Sequence, residues 1–223
     1  LASNFTTMIL TEWAEDSVSM QNQQQMIIFA GPSLTPTAVK LIDDLSLDLR
    51  EPVRRRDIQK QLDRKQVESI AIVDGLFNQV LSVGHQEIMD GIEQGFEIWG
   101  LCSMGAIRAY ELCNFGMKGF GKVYSRFFEM EDFQDDELAL LHEPEFPYSA
   151  FTEPMVHYRA CVEYLLREGV LDKNQGENIL SQLKKIYFGD RTLGYFKKLV
   201  ADCLGNSTAI PDNFDQFREK QGD

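Results

Sequence analysis

The chain has 223 residues, 43% of them hydrophobic and 26% charged, which suffices for one full domain with a helical appendage. A formal net charge of −13 argues against a general nucleic-acid binder, because nothing global offsets phosphate repulsion. The four cysteines, Cys102, Cys113, Cys161 and Cys203, are too dispersed for a zinc site and too few for a disulfide scaffold, and no apolar run approaches the ~20 residues that span a membrane.

Residues 1–25 carry no Lys or Arg and contain Glu12, Glu15 and Asp16, unlike the basic start of a signal peptide. The expected location is therefore the cytoplasm, with reduced thiols. The segment ends in Gln21-Asn22-Gln23-Gln24-Gln25 and reads as an N-terminal extension. Met26-Ile27-Ile28-Phe29-Ala30 is then a buried strand closed by Gly31-Pro32-Ser33. Thr35 before Pro36 is an N-cap followed by proline at the first helical position, so a helix should run to about Asp43. Arg50, Arg54, Arg55, Arg56, Arg64 and Lys65 form a basic cluster in an otherwise acidic chain. Their guanidinium forks suit carboxylate or phosphate, and equally a solvated helix face paired with Glu51 and Asp57. Ile58 and Leu62 place a helix over Asp57 to Arg64.

Ser69-Ile70-Ala71-Ile72-Val73 is a second buried strand ending at Asp74-Gly75, where an acid is well placed for a site or for capping a turn. Val83-Gly84-His85-Gln86-Glu87-Ile88-Met89 then starts a helix reaching Glu93, with His85 in or near its first turn. A single histidine there is more often structural than a base. Gly95-Phe96-Glu97-Ile98-Trp99 is the third strand, and a helix of good formers covers Ala106 to Leu112. The turn between them, Gly100-Leu101-Cys102-Ser103-Met104-Gly105, puts Ser103 at the carboxyl end of a strand and the amino end of a helix. Free backbone N–H groups and the positive helix end favour anions and developing oxyanions there. A nucleophile elbow would read Gly-x-Ser-x-Gly, and only Gly105 of its two glycines is present, so on this turn alone a tight small-residue turn is the simpler account.

Gly116, Gly119 and Gly121 follow a helix, so they are not a dinucleotide fingerprint. Lys122 to Phe128 reads as an edge strand or, by preference, a short helix, and Asp135 to His142 as a helix with acids at its positive end. Asp135 and Asp136 side by side suit a divalent cation, but capping is the commoner role of such a pair. Pro144, Pro147 and Pro154 mark a boundary. Beyond it, Val156 to Arg167, Asn174 to Tyr187 and Thr192 to Leu204 are amphipathic helices, and 206–223 reads as a frayed tail. The expected division is an extension at 1–25, an α/β core at 26–145 with a small, mostly parallel sheet flanked by helices, a helical region at 146–205, and the tail.

Taken together, the motifs resemble the TfuA family. The residues carrying the resemblance are Gly31-Pro32-Ser33-Leu34, Arg54-Arg55-Arg56-Asp57, Val73-Asp74-Gly75-Leu76-Phe77 and His85-Gln86-Glu87-Ile88. Cys102 to Ala109 with Glu111-Leu112, then Phe115-Gly116-Met117 and Asp135 to His142, complete the set in the family's order. Three positions depart from it: Arg56 stands where the family usually has Gly, Gln86 where it usually has Lys, and Cys102 where it usually has Ser.

The resemblance implies an accessory partner of YcaO enzymes, which use ATP to activate a peptide backbone amide and, with a TfuA-like partner, exchange its oxygen for sulfur. ATP and magnesium are expected on the YcaO partner, with no cofactor or metal on this chain. One implied route is hydrolysis of a thiocarboxylated ThiS-like carrier, which releases sulfide for the peptide held by the YcaO enzyme. Attack on an acyl carbon needs a nucleophile or activated water, a base and an oxyanion site. The candidates are Ser103 as nucleophile or water-positioner, His85 as base, Asp74 orienting His85, and Cys102 as alternative nucleophile, since a thiolate at a helix end can have a depressed pKa, or else as a side chain pointing into the core from the strand end. Backbone amides of Met104 and Gly105 would donate to the oxyanion. Arg55 or Arg108 would hold the acyl end, with Asp57 and Glu111 on the same carrier-binding surface. Two rivals stand beside this reading: a non-catalytic module that allosterically activates a YcaO enzyme, and a small-molecule thioester hydrolase.

Overall fold

The computed structural model describes residues 26–64, 68–76, 80–205 and 210–219. The extension at 1–25, Lys65 of the basic cluster and Phe77 lie outside the described residues. The chain divides into two compact units, one ending at Glu131 and the other beginning at Asp132.

In the first unit, five short strands form one parallel sheet. They are β1 (Met26–Phe29), β2 (Asp48–Arg50), β3 (Ser69–Ile72), β4 (Glu97–Gly100) and β5 (Lys118–Gly119), in the order β2-β1-β3-β4-β5. Between them run helices α1 (Pro36–Asp44), α2 (Asp57–Arg64), α3 (His85–Glu93) and α4 (Ser103–Leu112), with α5 (Lys122–Glu129) after β5. The α/β architecture read from the sequence is the one observed. Alternation along β1 explains why the strand is apolar throughout. Ile27 and Phe29 join Ile70, Ile72 and Ile98 against Ile58 and Leu62 of α2, Ile88 of α3 and Ala109 of α4. Met26 and Ile28 face the other way, with Ala71 and Val73 against Ile42 of α1. Helices on both faces are what a parallel sheet requires.

The bounds of α2 coincide with those expected, α3 ends at Glu93 as expected and opens on His85, and Thr35 caps α1 by accepting from the Ala38 amide. Two strands were not anticipated. β2 is a three-residue edge strand with two charged residues, and β5 is Lys-Gly, so neither carries an apolar run. Helix α4 begins at Ser103, three residues earlier than its good helix formers suggest, because Gly105 is required there for space and not for propensity. A Cβ on Gly105 would lie 1.8 Å from the Ile72 carbonyl oxygen, and one on Gly100 would lie 2.1 Å from the Gly105 carbonyl oxygen.

The second unit contains α6 (Met155–Arg167), α7 (Lys173–Lys185), α8 (Leu193–Cys203) and α9 (Asp215–Glu219). The expected helix over Asp135 to His142 shortens to a 3₁₀ turn, Asp135–Glu137. Glu137 is drawn fully inside to meet Arg159 at 2.7 Å and Lys184 at 3.2 Å. Asp136 binds Arg191, itself 2% exposed. These pairs bind the segment after 131 to the helical unit, which is why that unit begins at Asp132 and not near 145. The expected tail is also corrected where it is described. Phe214 and Phe217 are buried against Tyr158 and Phe196, and Arg218 pairs with buried Glu153.

Candidate functional site

In this strand order the chain leaves β1 toward β2 and then returns to the other side of β1 as β3. The carboxyl ends of β1 and β3 therefore flank the point where such sheets bind ligands. Asp74 stands there, 2% exposed, and everything around it donates. Its Oδ2 accepts the Gly31 amide at 2.8 Å and the Ser33 amide at 3.0 Å, and its Oδ1 accepts the Ser33 hydroxyl at 2.7 Å. Burial pushes the Asp74 carboxyl above the usual carboxylate range, and the hydrogen bonds from Ser33 and Gly31 act against that rise. Ser103 stands close enough to lower the Asp74 carboxyl as well, the smallest of these influences.

Ser103 is the first residue of α4 and holds φ at +47°, a left-handed conformation uncommon for a residue with a Cβ. The close passage of α4 over β4, through Gly100 and Gly105, makes this sharp strand-to-helix reversal. A motif search for Gly-x-Ser-x-Gly detects it only in part, because its second space-making glycine stands at Gly100, outside that motif.

The neighbouring Cys102 packs against the α1 side of the sheet. Burial, and then the charge of Asp74, push its thiol up to about 12, against a smaller opposing effect of a hydrogen bond with Ser33. The helix end does not prevail, so the depressed thiolate pKa expected of Cys102 is not found.

His85 does not rest on Asp74, which corrects the expected orienting pair. Its Nε2 lies 2.7 Å from Glu111 Oε2, on a helix residue eight positions and roughly 12 Å of axial rise beyond Ser103. Glu111 also accepts from Arg108 at 2.5 Å. Arg108 donates in addition to the Val83 carbonyl at 3.1 Å and the Ser82 hydroxyl at 3.2 Å, while Arg55 Nε donates to the Ser82 carbonyl at 2.8 Å. Both arginines thus brace the segment leading into α3. The Arg108 side chain is 12% exposed and serves mainly as that brace, whereas the Arg55 side chain is 49% exposed. Asp57 accepts the Arg54 amide and pairs with Lys60, which makes it the opening residue of α2. Arg54 pairs with Glu51, so part of the basic cluster is the solvated, paired face the sequence allowed.

Of the two amides expected at an oxyanion, the Gly105 amide is spent on the Val73 carbonyl at 3.2 Å. The Met104 amide has no acceptor among the described residues and stays at the open end of α4. Among the described residues no group of His, Cys, Asp and Glu forms a metal cluster, and no helix is long and apolar enough to cross a membrane.

The structure therefore brings together Asp74, Cys102 and Ser103, and separately His85, Arg108 and Glu111. It adds Ser33, to which the sequence reading gave no role. The available signal was its place just past the first strand, at the switch point. A family model described as TfuA-like protein matches residues 74–192, which include Asp74, His85, Ser103 and Glu111. No curated protein matches the chain.

Proposed function

The chain belongs to the TfuA-like family, with the accessory role in YcaO-dependent thioamidation that membership gives, and on that premise we propose that it delivers sulfur by hydrolysing a thiocarboxylated ThiS-like carrier. One observation carries this reading. A serine in a left-handed elbow at the carboxyl edge of the sheet stands beside a buried carboxylate, Asp74, whose proton affinity burial raises.

Ser103 Oγ attacks the acyl carbon as Asp74 takes the hydroxyl proton, and the Met104 amide stabilises the oxyanion that forms. The C–S bond breaks, and the proton returned from Asp74 leaves with the sulfur as hydrosulfide. Water then hydrolyses the acyl-serine, so the carrier departs as a carboxylate and Ser103 regains its proton. Arg55 holds the carrier's acyl end. His85 and Glu111 form part of the carrier-facing surface, and the peptide is bound by the YcaO partner.

The test is sulfide release from a thiocarboxylated carrier by the unaltered chain and by Ser103→Ala, Asp74→Asn, His85→Ala and Cys102→Ala. Loss with Ser103→Ala and Asp74→Asn, in folded proteins, is the expected result, and no release from the unaltered chain with a YcaO enzyme present would sink the hydrolase. A second reading, allosteric activation without chemistry, is favoured by the saturation of Asp74 with donors, which suits a strut between β1, β3 and α4. It requires that Ser103→Ala leave YcaO activation intact.

A further inference from the structure

We infer that Ser33 is a positioning residue of this site, a two-handed clamp that fixes the rotation of the Asp74 carboxylate and leaves one of its acceptor positions for Ser103. The inference rests on the hydrolase reading for its catalytic consequence, but the clamp itself is a matter of geometry. A carboxylate offers about four acceptor positions. Three are taken by the Gly31 amide, the Ser33 amide and the Ser33 hydroxyl. Ser33 alone of these reaches both oxygens, its N–H on Oδ2 at 3.0 Å and its O–H on Oδ1 at 2.7 Å, and two attachments from one residue prevent the carboxylate from turning. The remaining position is the one left for the nearby Ser103 hydroxyl, whose influence lowers the carboxyl.

Beside this clamp Cys102 is buried and faces the Asp74 charge, and both keep its thiol protonated. The titratable group facing Asp74 among the described residues is Cys102; the other contacts are the neutral donors already named.

The experiment compares sulfide release against pH for the unaltered chain, Ser33→Ala and Ser33→Thr, with carbon-13 titration of the Asp74 carboxyl in each. Asp74 must be ionised to accept a proton, so activity rises with pH through its pKa. Losing a donor to the charged form raises that pKa, which moves the acid limb of the profile upward. A hydrogen bond to a charged group predicts a displacement of roughly one to two pH units. In Ser33→Ala the limb and the carboxyl titration should move up together with the carrier KM unchanged, and Ser33→Thr should restore both. A Ser33→Ala profile and titration superimposable on those of the unaltered chain would overturn the inference. If no protein releases sulfide but the Ser33→Ala titration still moves up, the clamp stands and the hydrolase reading falls. If Ser33→Ala does not fold, Ser33→Cys, which keeps a weak donor, takes its place under the same criteria.

Discussion

At the scale of single residues, two of the three departures from the family pattern gain a physical meaning. Arg56 has φ at +73°, so the position the family usually gives to glycine is one where a Cβ is costly. The turn is retained because Glu87, buried at the start of α3, accepts both the Arg56 and the Gly84 amides. The left-handed conformation costs an ordinary residue about 1–2 kcal/mol, and the larger unfolded-state entropy of glycine returns about half of that. Arg56→Gly should therefore stabilise the chain by about 0.5–1 kcal/mol, read as a higher urea midpoint at unchanged slope. A lower midpoint would mean that the exposed arginine side chain contributes more than its backbone strain costs. Cys102 is the second case. With its thiol pushed up to about 12, alkylation of the Cys102-containing peptide by iodoacetamide at pH 8 should be slow in the folded chain and fast after denaturation. Equal rates would restore Cys102 as a candidate nucleophile.

At the scale of elements, the crossing of α4 over β4 decides where the site lies. Gly105→Ala would place a methyl 1.8 Å from the Ile72 carbonyl oxygen, and neither backbone can withdraw without breaking a bond of the sheet or helix. The expected loss is at least about 3 kcal/mol, or failure to fold. Gly194→Ala, at an exposed position of α8 where the nearest atom is 3.9 Å away, should be neutral or slightly stabilising in the same thermal melts. A tolerated Gly105→Ala would remove the account of why Ser103 is held at the helix start. The buried strands were legible because burial on both faces writes itself as an uninterrupted apolar run, α1 was legible from its Thr35 cap, and α8 from its apolar stripe. The edge strands and the 3₁₀ turn at Asp135–Glu137 were not, since their conformation depends on partners distant in sequence. The site shared that division. Asp74 and Ser103 stood out as strand-end residues, whereas the pairing of His85 with Glu111 is a contact between helices that spacing alone does not encode.

At the scale of the whole molecule, the two units hold their buried carboxylates by opposite means. In the first, Asp74 has only neutral donors, and its raised pKa makes the native state take up a proton more readily than the unfolded chain does. The penalty for its ionised form is absent below the ordinary value of 3.8 and grows as pH rises through the folded pKa. In the second unit, burial alone would raise the Glu153 carboxyl, but His157 at 2.8 Å and Arg218 outweigh it and hold it below its ordinary 4.5. The stability Glu153 contributes is complete above pH 4.5 and is lost as pH falls through its folded pKa. The consequence is readable by hydrogen exchange corrected for intrinsic rates. As pH falls below 4.5 and through the lowered folded pKa of Glu153, peptides of α6 and α9 should lose protection steeply, because protonating Glu153 releases Arg218 and with it the helix that buries Phe214 and Phe217. Glu153→Gln should lower protection in those peptides at pH 7 and flatten its further fall with acid, since no charge remains there to be titrated. An acid response in Glu153→Gln as steep as in the unaltered chain would overturn the assignment of the effect to Glu153.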